Sequence, residues 1–240
     1  MSNHDALLRS YGPSAWWKLA DAPGSLTAAD SSGNGYTGIV NGGVTFGEPG
    51  PMAGSPQDTA CSFAGAGTIQ NNGAVPGPVS AGLFTIVAWC VPSAGHYNAV
   101  LAVYPSSTPS NPIVLYPAYK GSSGSGPITL QVPTGVSTNV YLSGASASLE
   151  VWGMSVVTFD GTNFRLYVDG VLGGSFATPA GYPLAAALEA LKVGAIYDFP
   201  GTLAEVAIFP YALTAAQVAA LWSPPPLVSG GSGFPMLVGR

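Results

Sequence analysis

Short runs of apolar, β-branched and aromatic residues alternate with polar positions along most of the chain, and turn residues separate these runs at short intervals. A two-residue period predicts β-strands, because successive side chains of a strand point to opposite faces of the sheet. Many short strands of this kind favour two packed antiparallel sheets or a barrel. The predicted strands are Thr59–Phe63, Leu83–Val91, Ala99–Tyr104, Ile113–Tyr119, Ile128–Val132, Asn139–Leu142, Val151–Phe159, Phe164–Val168, Val171–Phe176, Leu191–Ala195 and Leu203–Phe209.

A few local signals add turns and helices to this pattern. Asp169-Gly170 stands between two strand-like runs and predicts a tight hairpin, because both residue types tolerate positive φ. Thr214 and Gln217 have the spacing of a capping box, which predicts a short helix after Thr214. A single helical turn is expected at Asp5–Tyr11, and Ala185–Leu191 is expected to form either a brief helix or a bend.

The composition narrows the class of protein. The chain has 240 residues, of which 47% are hydrophobic and only 7% are charged, and this excludes a disordered chain. A net charge of −5 without a basic cluster argues against nucleic acid as a partner. The sequence offers no apolar run long enough for membrane insertion and no signal-peptide pattern at its start.

The composition changes after Trp222, which predicts a single domain over residues 1–222 and a tail over residues 223–240. Proline and then glycine and serine dominate the first part of the tail, as in a stiff spacer followed by a flexible one. An apolar segment follows, and we expect it to dock on a neighbouring subunit through Phe234, Met236, Leu237 and Val238.

Five segments, in this order, have the form of one known family. They are Asp5–Leu19, Asp30–Gly38, Phe84–Trp89, Trp152–Gly170 and Phe199–Phe209. As a series they resemble the laminin-G/concanavalin A-like jelly-roll domains of bacteria and their phages, and the likeness is weakest over residues 93–150. The resemblance implies an all-β, antiparallel two-sheet jelly-roll sandwich with one short C-terminal helix.

The resemblance also implies a function. We expect a non-enzymatic structural or adhesion protein of a phage virion, similar to a minor tail protein, located in the tail. Its partners would be other virion subunits in an oligomeric assembly and a glycan of the host cell surface. A bacterial carbohydrate-binding module is the first alternative. A glycoside hydrolase of the same fold, acting through Glu150 or Glu205, is the second.

Tyrosines are the candidate ligand-binding residues, because exposed aromatic rings flanked by serine, asparagine and glycine can stack on a sugar face. The alternative is an ordinary sheet-face tyrosine with its hydroxyl in water. The candidates all fall in the region of weakest resemblance, and they are Tyr97, Tyr104, Tyr116, Tyr119 and Tyr141.

Two tryptophans, Trp89 and Trp152, alternate with apolar neighbours on central strands, and we expect them to pack in the core between the two sheets. Trp17 and Trp222 are expected to pack together where the ends of the domain meet.

Metal and cofactor chemistry has weak support. No cofactor is expected, and calcium is an alternative at Asp30 and Asn34, whose oxygens alternate as in the first half of a calcium loop. The competing interpretation is a turn in which these side chains bond local backbone N–H groups. Related jelly rolls resemble this chain but have an aspartate of a calcium site where this chain has Ala204.

Cys61 and Cys90 lie in apolar strand-like stretches. Free cysteine is among the most buried residue types, so two buried thiols are expected, with a structural disulfide as the alternative. Their spacing does not suggest zinc.

Overall fold

The computed structural model describes residues 3–52, 58–71, 82–92, 99–105, 112–116, 125–134, 139–148, 150–179, 188–196 and 199–222. The elements are α1 Asn3–Ser10, β1 Ala15–Trp17, β2 Thr27–Ala28, β3 Gly38–Pro49, β4 Thr59–Asn71, β5 Phe84–Pro92, β6 Ala99–Pro105, β7 Ile113–Tyr116, β8 Ser125–Pro133, β9 Asn139–Ser148, β10 Gly153–Phe159, β11 Asn163–Val168, β12 Val171–Ala177, β13 Leu188–Ile196, β14 Gly201–Phe209 and α2 Ala215–Trp222. All strand pairs among these residues are antiparallel. No helix in the described ranges is long and apolar enough to cross a membrane.

The strands form one continuous hydrogen-bonded ladder that folds into two facing layers. Its order is β12-β11-β10-β5-β14-β4-β13-β6-β7-β8-β9, with β1 beside β14, β3 beside β4 and β2 beside β3. We call β12, β11, β10, β5 and β14 the first layer, and β4, β13, β6, β7, β8 and β9 the second layer. This arrangement confirms the predicted antiparallel sandwich of concanavalin A-like type with a short C-terminal helix.

The inner core lies between the layers. Ile86 and Val157 from the first layer meet Leu115 and Leu130 from the second in one cluster of buried side chains. Trp17 on β1 belongs to the same cluster and is almost fully buried. Burying each aliphatic side chain of this size stabilises the fold by roughly 1.5–3 kcal/mol, so this core is the main force that holds the layers together.

An outer core covers the other face of the first layer. Leu8 of α1 and Leu221 of α2 pack there against Val87 on β5 and Phe209 on β14. Strands β5 and β14 are therefore apolar on both faces, which explains their nearly continuous hydrophobic runs.

The tryptophans differ from expectation because of this second core. Trp89 lies in the outer core and stacks on Trp222 of α2, with ring centroids 5.2 Å apart, so it does not join the two sheets. Trp152 is only partly buried beside the outer core. The predicted packing of Trp17 on Trp222 is wrong, because the two rings lie on opposite sides of the first layer. A strand buried on both faces gives no alternation from which to assign its inward side.

Several local predictions are confirmed. The backbone N–H of Gln217 donates to Thr214 Oγ1 at 3.2 Å, and the N–H of Thr214 donates to Gln217 Oε1 at 2.9 Å, which completes the capping box of α2. Asp169 and Gly170 have φ of 50° and 78° between the paired residues Val168 and Val171, as a tight hairpin requires.

Other local predictions need correction. Residues 188–191, expected in a brief helix or bend, belong to strand β13, in which Leu191 pairs with Val103 of β6. This pairing overrides the helical preference of an alanine- and leucine-rich segment. Strands β1 and β2 and most of β3 were not predicted, since β1 and β2 are very short and glycines interrupt the alternation of β3.

The cysteines are free thiols buried in the core, as expected. Cys61 lies on β4 and Cys90 on β5. Burial raises the pKa of Cys90 to about 12 and that of Cys61 well above its ordinary value. Both therefore stay protonated at neutral pH and act as small apolar core residues.

Glycines bring the two ends of the ladder together. A Cβ on Gly173 of β12 would lie 2.5 Å from the Cα of Gly144 on β9, and a Cβ on Gly144 would lie 2.5 Å from Val168 Cγ2. Real Cβ atoms do not approach other atoms so closely, so glycine lets the layer edges meet here.

Glu205 is a buried carboxyl group under helix α1. It lies at an irregularity of β14 with φ of 53°, and Trp16 Nε1 donates to its Oε2 at 2.6 Å. Its Oε1 is buried without a hydrogen-bond partner among the described residues. Lys18, which bonds Asp5 at 2.7 Å, is the nearby positive charge. Burial raises the pKa of Glu205 to about 8, although Lys18 and the Trp16 N–H partly offset it.

We predict that Gly173→Ala destabilises the fold by about 1–3 kcal/mol, because the added methyl group forces the β9 and β12 backbones apart. Urea unfolding followed by tryptophan fluorescence measures the change. Gly153→Ala is the matched control, since its Cβ would meet no atom closer than 3.4 Å. Equal stability of the two variants would contradict the close approach.

We predict that Glu205→Gln makes the chain more stable at high pH than its parent. The folded parent holds a proton on Glu205 up to about pH 8, whereas the unfolded chain loses it near the ordinary pKa of 4.5. The parent therefore loses stability as pH rises between these values, on the order of a few kcal/mol, and the glutamine variant does not.

Unfolding free energies at pH 6.5 and pH 8 measure this difference, with Glu150→Gln as the control for removing one exposed carboxylate. Because burial lowers the pKa of His4 to about 4, that group affects stability mainly between pH 4 and 6.5, and the range from 6.5 to 8 isolates Glu205. Parallel pH profiles of variant and parent would contradict the prediction.

Candidate functional site

A small cleft opens at one end of the sandwich, between the two layers. We call it the end cleft. It holds about 70 Å³, enough for several water molecules or for one edge of a sugar ring. Its lining combines apolar, hydroxyl and carboxylate groups, and consists of Cys90, Ile128, Ser146, Val151, Trp152, Gly153 and Asp169.

The hairpin between β11 and β12 positions the carboxylate of the end cleft. The left-handed conformations of Asp169 and Gly170 turn the chain so that Met154 N–H donates to Asp169 Oδ1 at 2.9 Å. In return, the N–H of Asp169 donates to the carbonyl oxygen of Met154 at 2.9 Å. These two bonds fix the hairpin to the first residues of β10, so the carboxylate is preorganised at the cleft.

The carboxylate of Asp169 is half-buried, and burial raises its pKa above the ordinary value even though the Met154 N–H lowers it in part. The backbone N–H of Met154 donates to Asp169 Oδ1, and no described residue donates a hydrogen bond to Asp169 Oδ2. The carboxylate can therefore still accept a hydrogen bond from a ligand.

Trp152 and Val151 form the apolar part of the end cleft. They come just before β10, where the chain leaves the protection of the sheet. Val151 is 57% exposed, and Trp152 is half-buried, with its side chain also packed against the outer core. An aromatic ring beside polar groups in a concave site is typical of sugar-binding surfaces.

The sequence analysis missed the end cleft. Asp169 was predicted to lie in a hairpin turn, which is correct. Trp152 was predicted to lie in the core, but it is only partly buried. The signal in the sequence was Gly153, which follows Trp152 at the start of a strand and has no side chain to fill the space beside it. The pairing of β10 with β5 and β11 brings residues 152 and 169 to the same cleft.

Two of the predicted tyrosines lie on the outer face of the second layer. Tyr116 on β7 is 5% exposed, and its hydroxyl lies 3.1 Å from Gln131 Oε1 on β8. Gln131 pairs in turn with Tyr141 on β9, which is 46% exposed. The buried ring of Tyr116 does not offer the exposed stacking face that was expected, whereas Tyr141 does.

The structure describes no side-chain position for the three remaining tyrosines. Tyr97 and Tyr119 lie outside the described residues, and Tyr104 is a β6 residue that pairs with Ala190. The ligand-binding role of the tyrosine set stays a prediction. The apolar tail segment with Phe234 and Val238 also lies outside the described residues.

The loop considered for calcium forms a hydrogen-bonded turn. Asp30 Oδ1 accepts bonds from the N–H groups of Trp16 and Ser32, and Oδ2 accepts one from Tyr36 N–H at 2.9 Å. Burial raises the pKa of Asp30, but these bonds outweigh it and keep the pKa below its usual value. Asn34 donates to the carbonyl of Ser14 at 3.0 Å. Both side chains thus satisfy local backbone groups, and no cluster of metal-binding side chains occurs within the described ranges.

The two glutamates considered for catalysis, Glu150 and Glu205, are not among the residues that line the end cleft. Glu205 is almost fully buried. Glu150 is exposed and precedes Val151, and the backbone N–H of Glu150 donates to the Pro92 carbonyl oxygen at 3.2 Å. Asp169 is the carboxylate that the described residues contribute to the end cleft.

Comparison with solved structures shows the same fold in binding domains of larger proteins. Domain 4 of AbnA, a GH43 extracellular arabinanase from Geobacillus stearothermophilus, solved in complex with arabinotriose, has 17% identity and a TM-score of 0.64, over 87% of this chain and 97% of that chain. The binding domain of Paraclostridial Mosquitocidal Protein 1 has 13% identity and a TM-score of 0.61, over 90% and 52%. The Botulinum Neurotoxin Type G receptor binding domain has 12% identity and a TM-score of 0.59, over 88% and 51%.

The chain thus spans nearly all of the arabinanase domain and about half of each toxin binding domain. The search of curated protein sequences gives no match. The sequence model of the concanavalin A-like lectin/glucanases superfamily, Laminin_G_3, matches residues 64–219, which is more than half of the chain. Together with the two-layered sandwich, this match identifies the chain as a member of the Laminin_G_3 family of the concanavalin A-like lectin/glucanases superfamily.

Proposed function

We propose that this chain is a non-enzymatic adhesion domain that binds a glycan in its end cleft and serves as a structural subunit of a phage virion, as a minor tail protein. The observation that carries the glycan part is the end cleft itself. There Trp152, whose half-buried side chain also packs against the outer core, lines one cleft with Asp169 and Ser146. Aromatic rings bind the apolar face of a sugar, and carboxylates and hydroxyls bind its OH groups.

Binding is favoured over hydrolysis by the number of acidic groups at the site. Glycosidases of the common mechanisms use two carboxyl groups that flank the scissile bond. Among the described residues, the end cleft has the single carboxylate of Asp169, and Glu205 is enclosed on the far side of the first layer. The similarity to a domain solved with arabinotriose and to a receptor binding domain also supports a binding role.

The virion part rests on the sequence. The ordered motifs resemble those of jelly-roll domains in phage proteins, and the composition is rich in glycine and proline with few charged residues. Low charge suits a subunit whose faces are largely covered by neighbouring subunits. The apolar residues Phe234, Met236, Leu237 and Val238 would contact such a neighbour.

We predict that Trp152→Ala weakens glycan binding about tenfold or more, since it removes the stacking surface of the end cleft. A glycan array with the full chain identifies a ligand, and isothermal titration calorimetry then measures the loss. Trp152→Phe keeps an aromatic ring and is expected to retain most of the affinity. Gly153→Val is expected to abolish binding by filling the cleft, because its side chain would start 3.4 Å from Asp169 Oδ1.

Tyr141→Ala is the matched control for this prediction, because it removes an exposed ring from a different surface. Full affinity in the Trp152 variant combined with loss in the Tyr141 variant would move the site to the outer face of the second layer. Sugar turnover that disappears in Glu150→Gln or Glu205→Gln would replace binding with hydrolysis.

The virion role is tested by electron microscopy of particles from the phage that encodes the chain, with a gold-labelled antibody. We expect label at the tail. Particles without label, alongside free chain in the lysate that binds the glycan, would favour an independent carbohydrate-binding module.

A further inference from the structure

The charge of the end cleft indicates which sugars it selects. Resting on the proposed glycan-binding function, we infer that the end cleft takes a sugar with a free, protonated amino group. The ammonium group would donate to the carboxylate of Asp169, and the adjoining ring carbons would lie against the apolar residues that line the cleft.

The first argument is the lack of a positive partner for Asp169. No lysine, arginine or histidine lines the end cleft within the described ranges. Three of the described basic side chains are engaged elsewhere, since Lys18 bonds Asp5 at 2.7 Å, Arg165 bonds Asp160 at 2.6 Å and Arg9 lies over the Trp16 ring. A half-buried carboxylate without a cation favours a ligand that supplies the positive charge.

The second argument is the surroundings of the carboxylate. Apolar groups of Trp152, Val151 and Ile128 share the cleft with it, so water solvates the carboxylate only in part. Burial accordingly raises the pKa of Asp169. In such a site a charge-assisted hydrogen bond is stronger than a bond to a neutral hydroxyl.

The third argument is the fixed geometry. Met154 N–H holds Oδ1 at 2.9 Å, and the paired bond from Asp169 N–H to Met154 keeps the hairpin in place. The carboxylate therefore does not need to reorganise when a ligand arrives, and its remaining lone pairs are available to two donors of one ammonium group.

The experiment compares three sugars with the same ring: glucosamine, N-acetylglucosamine and glucose, each titrated into the full chain at pH 6.5. We expect glucosamine to bind about tenfold more tightly than the other two, and to lose that advantage in Asp169→Asn. Asparagine tolerates the left-handed turn and can still accept the Met154 N–H bond, so this variant should fold. Raising the salt concentration should weaken glucosamine binding in the parent and have little effect in the variant.

Glu150→Gln is the matched control, because it removes one exposed carboxylate next to the end cleft without changing the lining. We expect it to change glucosamine affinity less than twofold. An equal loss in Glu150→Gln and Asp169→Asn would contradict direct contact with Asp169 and indicate a general field effect.

The outcomes separate this inference from the proposed function. Equal binding of the three sugars, abolished by Trp152→Ala, would overturn the amine preference and leave glycan binding standing. Cyclohexylammonium is the non-sugar probe. If cyclohexylammonium binds to the parent but not to Asp169→Asn, and no sugar or glycan binds, the ammonium site is supported and the glycan function is overturned. Absence of binding by all four compounds would overturn the ammonium site.

Discussion

The structure depends on burial of both faces of the central strands. Side chains of β5 and β14 point alternately into the inner core, where they meet the second layer, and into the outer core, where they meet the two helices. Neither set is stabilised alone, since an apolar sheet face left in water would lose the free energy that folding gains from its burial. The helices at the two ends of the domain are therefore part of the sandwich, and α1 and α2 complete it from opposite ends of the sequence.

This constraint determines where a ligand can bind. The outer face of the first layer is covered by α1 and α2, and it encloses Glu205, whose pKa is raised to about 8 by burial. The carboxyl group of Glu205 is almost fully buried there and accepts a hydrogen bond from Trp16 Nε1. Among the described residues, the outer face of the second layer carries the exposed ring of Tyr141, and the end cleft lies between the layers. Trp152 and Asp169 both line the end cleft, and no basic residue lines it within the described ranges.

Much of the fold follows from local patterns in the sequence. The alternating runs predict strands between Thr59 and Phe209 because apolar and polar residues alternate along them and turn residues separate them. The hairpin at Asp169-Gly170 and the capping box at Thr214 follow from backbone chemistry that needs only a few residues. The ordered motifs identified the family, which the match over residues 64–219 then established.

The parts that sequence reasoning missed depend on contacts between distant segments. A strand apolar on both faces does not reveal which side is inward, so Trp89 was assigned to the wrong core. The end cleft joins groups from β5, β8, β9, β10 and the β11–β12 hairpin, and the distance in sequence between Ile128 and Asp169 hides their proximity. Ring exposure is likewise a tertiary property, which is why Tyr116 and Tyr141 have the same pattern in sequence and opposite exposure in the fold.

The central claim is that the end cleft is the ligand site of the sandwich. Its most direct test is a nuclear magnetic resonance titration that follows the indole N–H signals of the five tryptophans as glucosamine is added. The account predicts that the signal of Trp152 moves with ligand concentration, while those of Trp16 and Trp17, enclosed in the two cores, stay in place. A fixed Trp152 signal together with shifts of the backbone amides of Gln131 and Tyr141 would contradict it.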